Sequence, residues 1–279
     1  MVTENIYGII DEIRKKAPLV HSITNYVTIN SCADLLLACG ASPVMADDER
    51  EAAEITALSS ALMLNTGTLH SDRLRAMLSA GKKANELGIP VVLDPVGAGA
   101  SAFRTESVMK LAKEIRFTVV RGNISEILTL LNGEGRTSGV DSNTGDAITE
   151  DNINEKITSA RELSIKLGCT VAVTGKIDIV TDSEHTYLVR NGHQIMSRIT
   201  GTGCMLTALT AACCAAAPGR STEAALCAVT AMGYCGERAY EKTEAAGGGT
   251  GTFRMLLMDE VSLLTSEKLE RGAEIEAKS

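Results

Sequence analysis

Pro90-Val91-Val92-Leu93-Asp94 is a short, β-rich apolar run that closes on a carboxylate. Four further runs resemble it: Ser42 to Met45, Ala61 to Asn65, Thr118 to Arg121 and Thr170 to Thr174. Longer stretches of helical composition separate them. This alternation predicts an α/β fold, a mostly parallel central sheet covered by helices. In open sheets of this kind ligands bind outside the carboxyl ends of the strands, so Asn65, Asp94, Arg121 and Thr174 are expected at one common edge. Asp178 to Thr181 and His185 to Arg190, separated by Asp182-Ser183-Glu184, read as an antiparallel hairpin at the end of the sheet.

The last third of the chain is helical in pattern. Cys204 to Ala217 reads as an Ala/Leu-rich helix stopped by Pro218-Gly219, and Ser221-Thr222-Glu223 opens another with a capping signature. A further helix is expected from about Phe253 to Leu264, followed by a Glu/Lys-rich tail expected to be frayed or solvated. Gly247 to Thr252 reads as a flexible loop and Asn132 to Asp146 as a polar insert. No internal repeat, linker or composition break divides the chain, so residues 1–279 are expected to form a single domain.

Composition narrows the partners. The 279 residues suffice for one large core, and 44% of them are hydrophobic. With three Phe, five Tyr and no Trp, that core must be built from Ala, Val, Ile, Leu and Met. The formal charge is −8 and no Lys/Arg run occurs, which argues against nucleic acid as a partner. An anionic ligand must instead be held by backbone N–H groups, a metal ion, or single cations such as Arg121 and Lys176. The eight cysteines include no C-x-x-C pair and no zinc-ligand spacing, and most of them read as small buried hydrophobes of a reducing cytosol. The longest apolar run, near Met205 to Ala217, is about 13 residues, short of the roughly 20 that span a bilayer. With no signal-peptide core at the N-terminus, a cytoplasmic protein without a membrane partner is expected.

Ile199-Thr200-Gly201-Thr202-Gly203-Cys204 opens directly onto the Ala-rich helix. Its glycines can turn N–H groups inward while the helix N-terminus adds partial positive charge, which suits a transferring phosphoryl group. A lone G-x-G is also an ordinary loop-to-helix turn, so other residues must decide. Asp94 and Glu126 supply hard oxygen ligands for Mg²⁺, held directly or through its waters. Taken singly, Asp94 is a turn residue before Pro95, and Glu126 a first-turn helix carboxylate. Arg121 ends its strand with a planar fork suited to phosphate oxygens, and Thr174-Gly175-Lys176 offers a hydroxyl and a permissive backbone. Their ordinary readings are an ion pair and a hairpin turn.

Other motifs fail. Gly97-Ala98-Gly99-Ala100-Ser101-Ala102 has the shape of a dinucleotide fingerprint but is set off from its strand by Pro95 and Val96. Asp141 to Asp146 has a calcium loop's composition in the wrong order, with Asn152 where a bidentate Glu belongs. No G-x-x-x-x-G-K-[ST] is present. The histidines at 21, 70, 185 and 193 show no metal-ligand spacing and read as structural or surface groups.

Six landmarks in this order carry a resemblance over nearly the whole chain: His21 to Val27, Ser42-Pro43-Val44-Met45, Leu93 to Ala100, Val120 to Glu126, Val173 to Lys176, and Gly201 to Cys204. Together they make the sequence similar to the hydroxyethylthiazole kinases of thiamine salvage, a ribokinase-like family. The resemblance implies a three-layer αβα sandwich, a homotrimer with active sites at subunit interfaces, ATP as cosubstrate and Mg²⁺ as cofactor. It further implies that Met45 and Gly201 contact the thiazole alcohol, that Asn25 and Gly67 extend its pocket, and that Arg121 and Thr174 contact ATP. Catalysis would fall to Gly201, Gly203 and Cys204.

Many ribokinase-like enzymes carry aspartate, as a base, where this chain has Cys204. A thiol can take that role only if the helix N-terminus yields enough thiolate, and a buried inert thiol is the alternative. Thr250 stands where relatives are expected to carry proline. Two rival readings stay open: another ribokinase-like activity, either a vitamin-precursor kinase or an ATP-dependent NAD(P)H-hydrate dehydratase, and a catalytically silent nucleotide-binding regulator.

Overall fold

A computed structural model describes residues 6–133 and 148–278. Most of the polar insert, including Asp141 to Asp146 of the rejected calcium-like stretch, lies outside the described residues. The strands are β1 (Leu19–Ile23), β2 (Ser42–Val44), β3 (Ala61–Asn65), β4 (Val91–Asp94), β5 (Val119–Gly122), β6 (Thr170–Val173), β7 (Asp178–Thr181), β8 (Thr186–Val189) and β9 (Ile275–Lys278). They form one sheet in the order β2-β1-β3-β4-β5-β6-β7-β8-β9. The first six in that order are parallel and the last three join antiparallel.

The helices are α1 (Ile9–Lys16), α2 (Ile29–Cys39), α3 (Ala52–Leu58), α4 (Ser71–Leu87), α5 (Ala102–Glu114), α6 (Ile124–Asn132), α7 (Ile153–Leu167), α8 (Thr202–Ala216), α9 (Ser221–Ala245), α10 (Thr250–Ser262) and α11 (Ser266–Gly272). They cover both faces of the sheet, because its strands are apolar on both. Met63 and Val92 face a core shared with α1, α2, α8, α9 and α10, whereas Leu62, Leu64, Val91 and Leu93 face a second core shared with α4 to α7. A strand buried on both sides carries a continuous apolar run, the pattern that made β3 to β6 readable. The expected three-layer α/β architecture is therefore present.

Four details differ from the reading of the sequence. β1 was not anticipated: its centre is His21-Ser22, which interrupts the apolar run. His21 is nonetheless buried, its Nδ1 2.8 Å from Thr56 Oγ1 and its Nε2 2.8 Å from the Ala46 carbonyl oxygen. The Glu/Lys-rich tail is not frayed: it forms α11 and then β9, which pairs with β8 through backbone bonds that do not depend on side-chain polarity. No side chain caps α9. The hydroxyl of Ser221 turns to Thr170 Oγ1 at 2.8 Å, and Thr222 Oγ1 donates to Asp182 Oδ2 at 2.7 Å. Finally, Thr250 to Thr252 belong to the first turn of α10, so only the glycines before them form the loop.

Candidate active site

The parallel strands β3, β4 and β5 end side by side, with Asn65 directly opposite Asp94 in the register. Asp94 is fully buried. Its Oδ2 accepts hydrogen bonds from Asn65 Nδ2 at 2.8 Å and from Thr207 Oγ1 at 2.9 Å, with Arg121 Nη1 at 3.5 Å. Its Oδ1 is buried and has no partner among the described residues. Leaving such an atom unpaired costs about 1–3 kcal/mol, so a water, metal ion or ligand at this oxygen would be stabilised. Burial pushes the Asp94 carboxyl up, against the charge of Arg121 and the bonds from Thr207 and Asn65.

Arg121, from β5, connects this carboxylate to the glycine turn. Its Nη2 donates to Thr174 Oγ1 at 2.6 Å, and its Nε is buried without a partner among the described residues. A Cβ placed on Gly203 would stand 2.7 Å from Arg121 Nη1. The guanidinium therefore lies against the first turn of α8, beside backbone N–H groups that no side chain caps. Gly201, the residue before that helix, has φ +96°, a left-handed conformation suited to glycine, and a Cβ there would approach Thr28 Cγ2 at 2.9 Å. Cation, helix N-terminus and bare glycine backbone thus converge on one small volume that favours an anion.

Cys204 follows within the same turn of α8. Its sulfur accepts from Asn25 Nδ2 and from Asn65 Nδ2, each at 3.3 Å. Burial, then the charge of Asp94, pushes the thiol above its ordinary 9.0. That is opposite to the depression a thiolate base requires. Gly67 closes the other side: its N–H donates to Asn65 Oδ1 at 3.0 Å, and a Cβ on it would stand 2.9 Å from Asn25 Cβ. Met45 follows β2, the strand next to β1, and is partly buried against the α8 side of the sheet. Asn25, Gly67, Asp94, Arg121, Thr174, Gly203 and Cys204 are joined by direct contacts. Gly201 and Met45 stand at the same edge.

Glu126 sits beneath this group in the first turn of α6. Its Oε2 accepts from the Asn123 N–H at 2.9 Å, closing a capping box, and its Oε1 accepts from the Gly97 N–H at 2.9 Å. Its helix-capping reading and its place near Asp94 hold together: burial, then the Asp94 charge, raises its pKa. Thr174 has the turn position foreseen for it, because residues 174–177 form the β6–β7 turn, and its hydroxyl meets Arg121. In that turn the Gly175 N–H donates to Asp178 Oδ1 at 2.8 Å.

Burial pushes the Asp178 carboxyl from its ordinary 3.8 up to about 7, although the Gly175 N–H and Arg121 oppose this. A carboxyl with a raised folded pKa holds its proton more tightly when folded, so its contribution to stability is lost as pH rises from about 4 through about 7. Asp178→Asn is accordingly expected to flatten the decline of the urea midpoint across that window. An unchanged slope would refute the assignment.

The reading of the sequence gave no role to Asn65 or Thr207. Asn65 was placed at the edge as a strand end, but its four-way bonding depends on strands brought together from distant positions. Thr207 had one available signal: it stands one helical turn after Gly203, on the same face of α8. A cleft of about 630 Å³ lies at the opposite edge of the sheet, near Thr118, Asp182, His185 and Thr222. Asp182, Thr222, Thr170 and Ser221 there bond to one another, so that cleft presents paired polar groups.

Residues 10–267 match the profile of the Hydroxyethylthiazole kinase family. A hydroxyethylthiazole kinase of Clostridium acetobutylicum is 48% identical over 268 residues, covering 96% of this chain and 98% of its own length. One from Desulfovibrio desulfuricans is 47% identical over 274 residues, 96% of each chain. The structure of the hydroxyethylthiazole kinase protein from Pyrococcus horikoshii superposes with a TM-score of 0.88 at 36% identity, covering 99% of this chain and 100% of that one. A pyridoxal kinase from Staphylococcus aureus shares the fold alone, with a TM-score of 0.57 at 14% identity over 78% of this chain and 87% of that one. The fold is thus ribokinase-like, and the chain belongs to the hydroxyethylthiazole kinase family.

Proposed function

We propose that this protein transfers the γ-phosphoryl group of ATP to the primary alcohol of 4-methyl-5-(2-hydroxyethyl)thiazole, giving ADP and the thiazole phosphate, in thiamine salvage. The observation that carries this reading is the unpaired Asp94 Oδ1 beside an anion turn lined by Arg121. In this reading the protein is a cytoplasmic single-domain enzyme that assembles as a homotrimer with active sites at subunit interfaces. Among the described residues no helix is long and apolar enough to cross a membrane.

The residues fit a Mg²⁺ ion. Asp94 Oδ1 is free to face it, while both oxygens of Glu126 already accept backbone N–H bonds, which leaves Glu126 suited to a metal-bound water. When bound, Mg²⁺ neutralises charge on the transferring phosphate and orients it. Arg121 and Thr174 would hold the nucleotide phosphates. The N–H groups of α8 would face the γ-phosphoryl oxygens, where negative charge collects in the transition state. Met45, Asn25, Gly67 and Gly201 would hold the alcohol. In a loose transition state the attacking hydroxyl needs little help in losing its proton. Cys204, protonated and fixed by two amides, fits a positioning role better than that of a base.

ADP release on adding the thiazole alcohol, and none without it, tests the proposal in a coupled assay. Nucleotide binding without ADP release would favour the silent regulator, and turnover of a different alcohol alone would favour another vitamin-precursor kinase. Cys204→Asp is expected to keep or raise turnover, because the two amide donors at the sulfur suit a carboxylate. A large loss of turnover with alcohol binding intact would show that the thiol itself is required.

A further inference from the structure

Arg73, in the first turn of α4, is fully buried, an unusual place for a cationic side chain. Its Nε and Nη2 both donate to Asp47 Oδ2, at 3.1 and 2.7 Å. Its Nη1 donates to the carbonyl oxygen and to Oγ1 of Thr68, each at 3.2 Å. The guanidinium carbon lies 4.0 Å from the centre of the Tyr26 ring. These three partners come from three different loops: β1–α2 for Tyr26, β2–α3 for Asp47 and β3–α4 for Thr68. A further bond ties two of them together, since the Tyr26 N–H donates to Thr68 Oγ1 at 3.2 Å.

Each partner stands beside a residue assigned to the alcohol pocket. Tyr26 follows Asn25, Asp47 comes two positions after Met45, and Thr68 follows Gly67. Thr68 has φ +45°, left-handed and unfavourable for a threonine. Such a conformation persists only where the surroundings over-determine it, and Arg73 supplies two of the bonds that do so. Asp47 is 44% exposed, so the pair is desolvated mainly on the arginine side and is a poor device for stability alone. Its value lies in geometry: a rigid planar fork fixes three loops at once, which a flexible ammonium cannot do.

We infer that Arg73 is a positioning residue that fastens the three loops forming the alcohol pocket and so sets affinity for the alcohol but not for the nucleotide. The inference rests on the reading of Asn25, Met45 and Gly67 as that pocket. Residues on the nucleotide side lie on β5, in the β6–β7 turn and on α8, and none of the Arg73 bonds reaches them. A displacement of about 1 Å in a binding group is enough to cost one to two orders of magnitude in turnover efficiency.

Arg73→Lys is therefore expected to raise KM for the thiazole alcohol at least about tenfold, with KM for ATP and kcat changing less than about threefold. Asp47→Asn, at a half-exposed position that tolerates the change, should shift the same constant in the same direction. It carries the test should Arg73→Lys fold poorly. Hydrogen exchange supplies a readout that needs no substrate. The amides of Tyr26 and Gly67 should exchange faster in both variants, while that of Thr174, bonded to the Gly122 carbonyl oxygen, should not. Equal rises in both KM values, or unchanged exchange at Tyr26 and Gly67, would overturn the inference. Failure of the unmodified protein to phosphorylate the thiazole alcohol would overturn the substrate assignment instead, leaving the exchange result to decide the role of Arg73.

Discussion

Asp94→Asn is expected to lower kcat by about a thousandfold or more while leaving the fold intact. The substitution changes no volume, but it reverses one of the two polar ends of the side chain. Three donors, from Asn65, Thr207 and Arg121, converge on Oδ2, so the amide oxygen must take that position. The NH₂ group then replaces Oδ1, presenting two donors where the unpaired acceptor stood. Arg121 also loses its counter-charge and can swing out of the anion turn. Because the surrounding bonds to the remaining oxygen are retained, unfolding stability should change by only about 1 kcal/mol. Steady-state kinetics alongside thermal melts would check this. A kcat within about tenfold of the original protein would show that Oδ1 has no part in the reaction.

Gly203→Ala separates activity from stability in the opposite sense. Position 203 lies in the first turn of α8 with ordinary helical backbone, where alanine is favoured over glycine by up to about 1 kcal/mol. The added methyl group would stand 2.7 Å from Nη1 and 2.9 Å from Nη2 of Arg121, closer than van der Waals contact allows. The guanidinium is the far end of a flexible side chain, so it moves aside at little cost to the fold. In doing so it leaves Thr174 and Asp94 and the volume assigned to the γ-phosphoryl group. A fall of about a hundredfold or more in kcat/KM for ATP is expected, with a melting temperature equal to or above that of the original protein. Unimpaired kinetics would mean that Arg121 acts elsewhere.

Both variants concern residues whose importance was partly readable from strand ends and turns. Asp94, Arg121 and Thr174 each close a run of Val, Leu or Ala, and the rule that parallel strands present their carboxyl ends to ligands was enough to group them. β1 escaped because His21, whose burial depends on distant partners, and Ser22 break its apolar run. β9 escaped because Ile275-Glu276-Ala277-Lys278 is an edge strand in a polar stretch, held by pairing to β8 across more than 80 positions of sequence.

The site divides in the same way. The capping box Asn123–Glu126 is a local pattern, and the sequence alone supports it. That the other oxygen of Glu126 accepts from Gly97 is a long-range fact. Cys204 illustrates the limit most clearly. Its place at the opening of a helix argued for a depressed pKa, yet burial and the neighbouring Asp94 push the thiol up. The helix position was legible; the desolvation around the sulfur was not.

The sequence by itself determined the α/β class, five of the six parallel strands and the loop-to-helix glycine turn at Gly201 to Cys204, because each follows from periodicity or spacing over a few residues. Only the tertiary structure decided that Asn65 joins Asp94 to Cys204, that Thr207 caps the Asp94 carboxylate, and that buried Arg73 gathers three loops. Those arrangements depend on burial and on hydrogen bonds between residues far apart in the chain, and no local pattern encodes either.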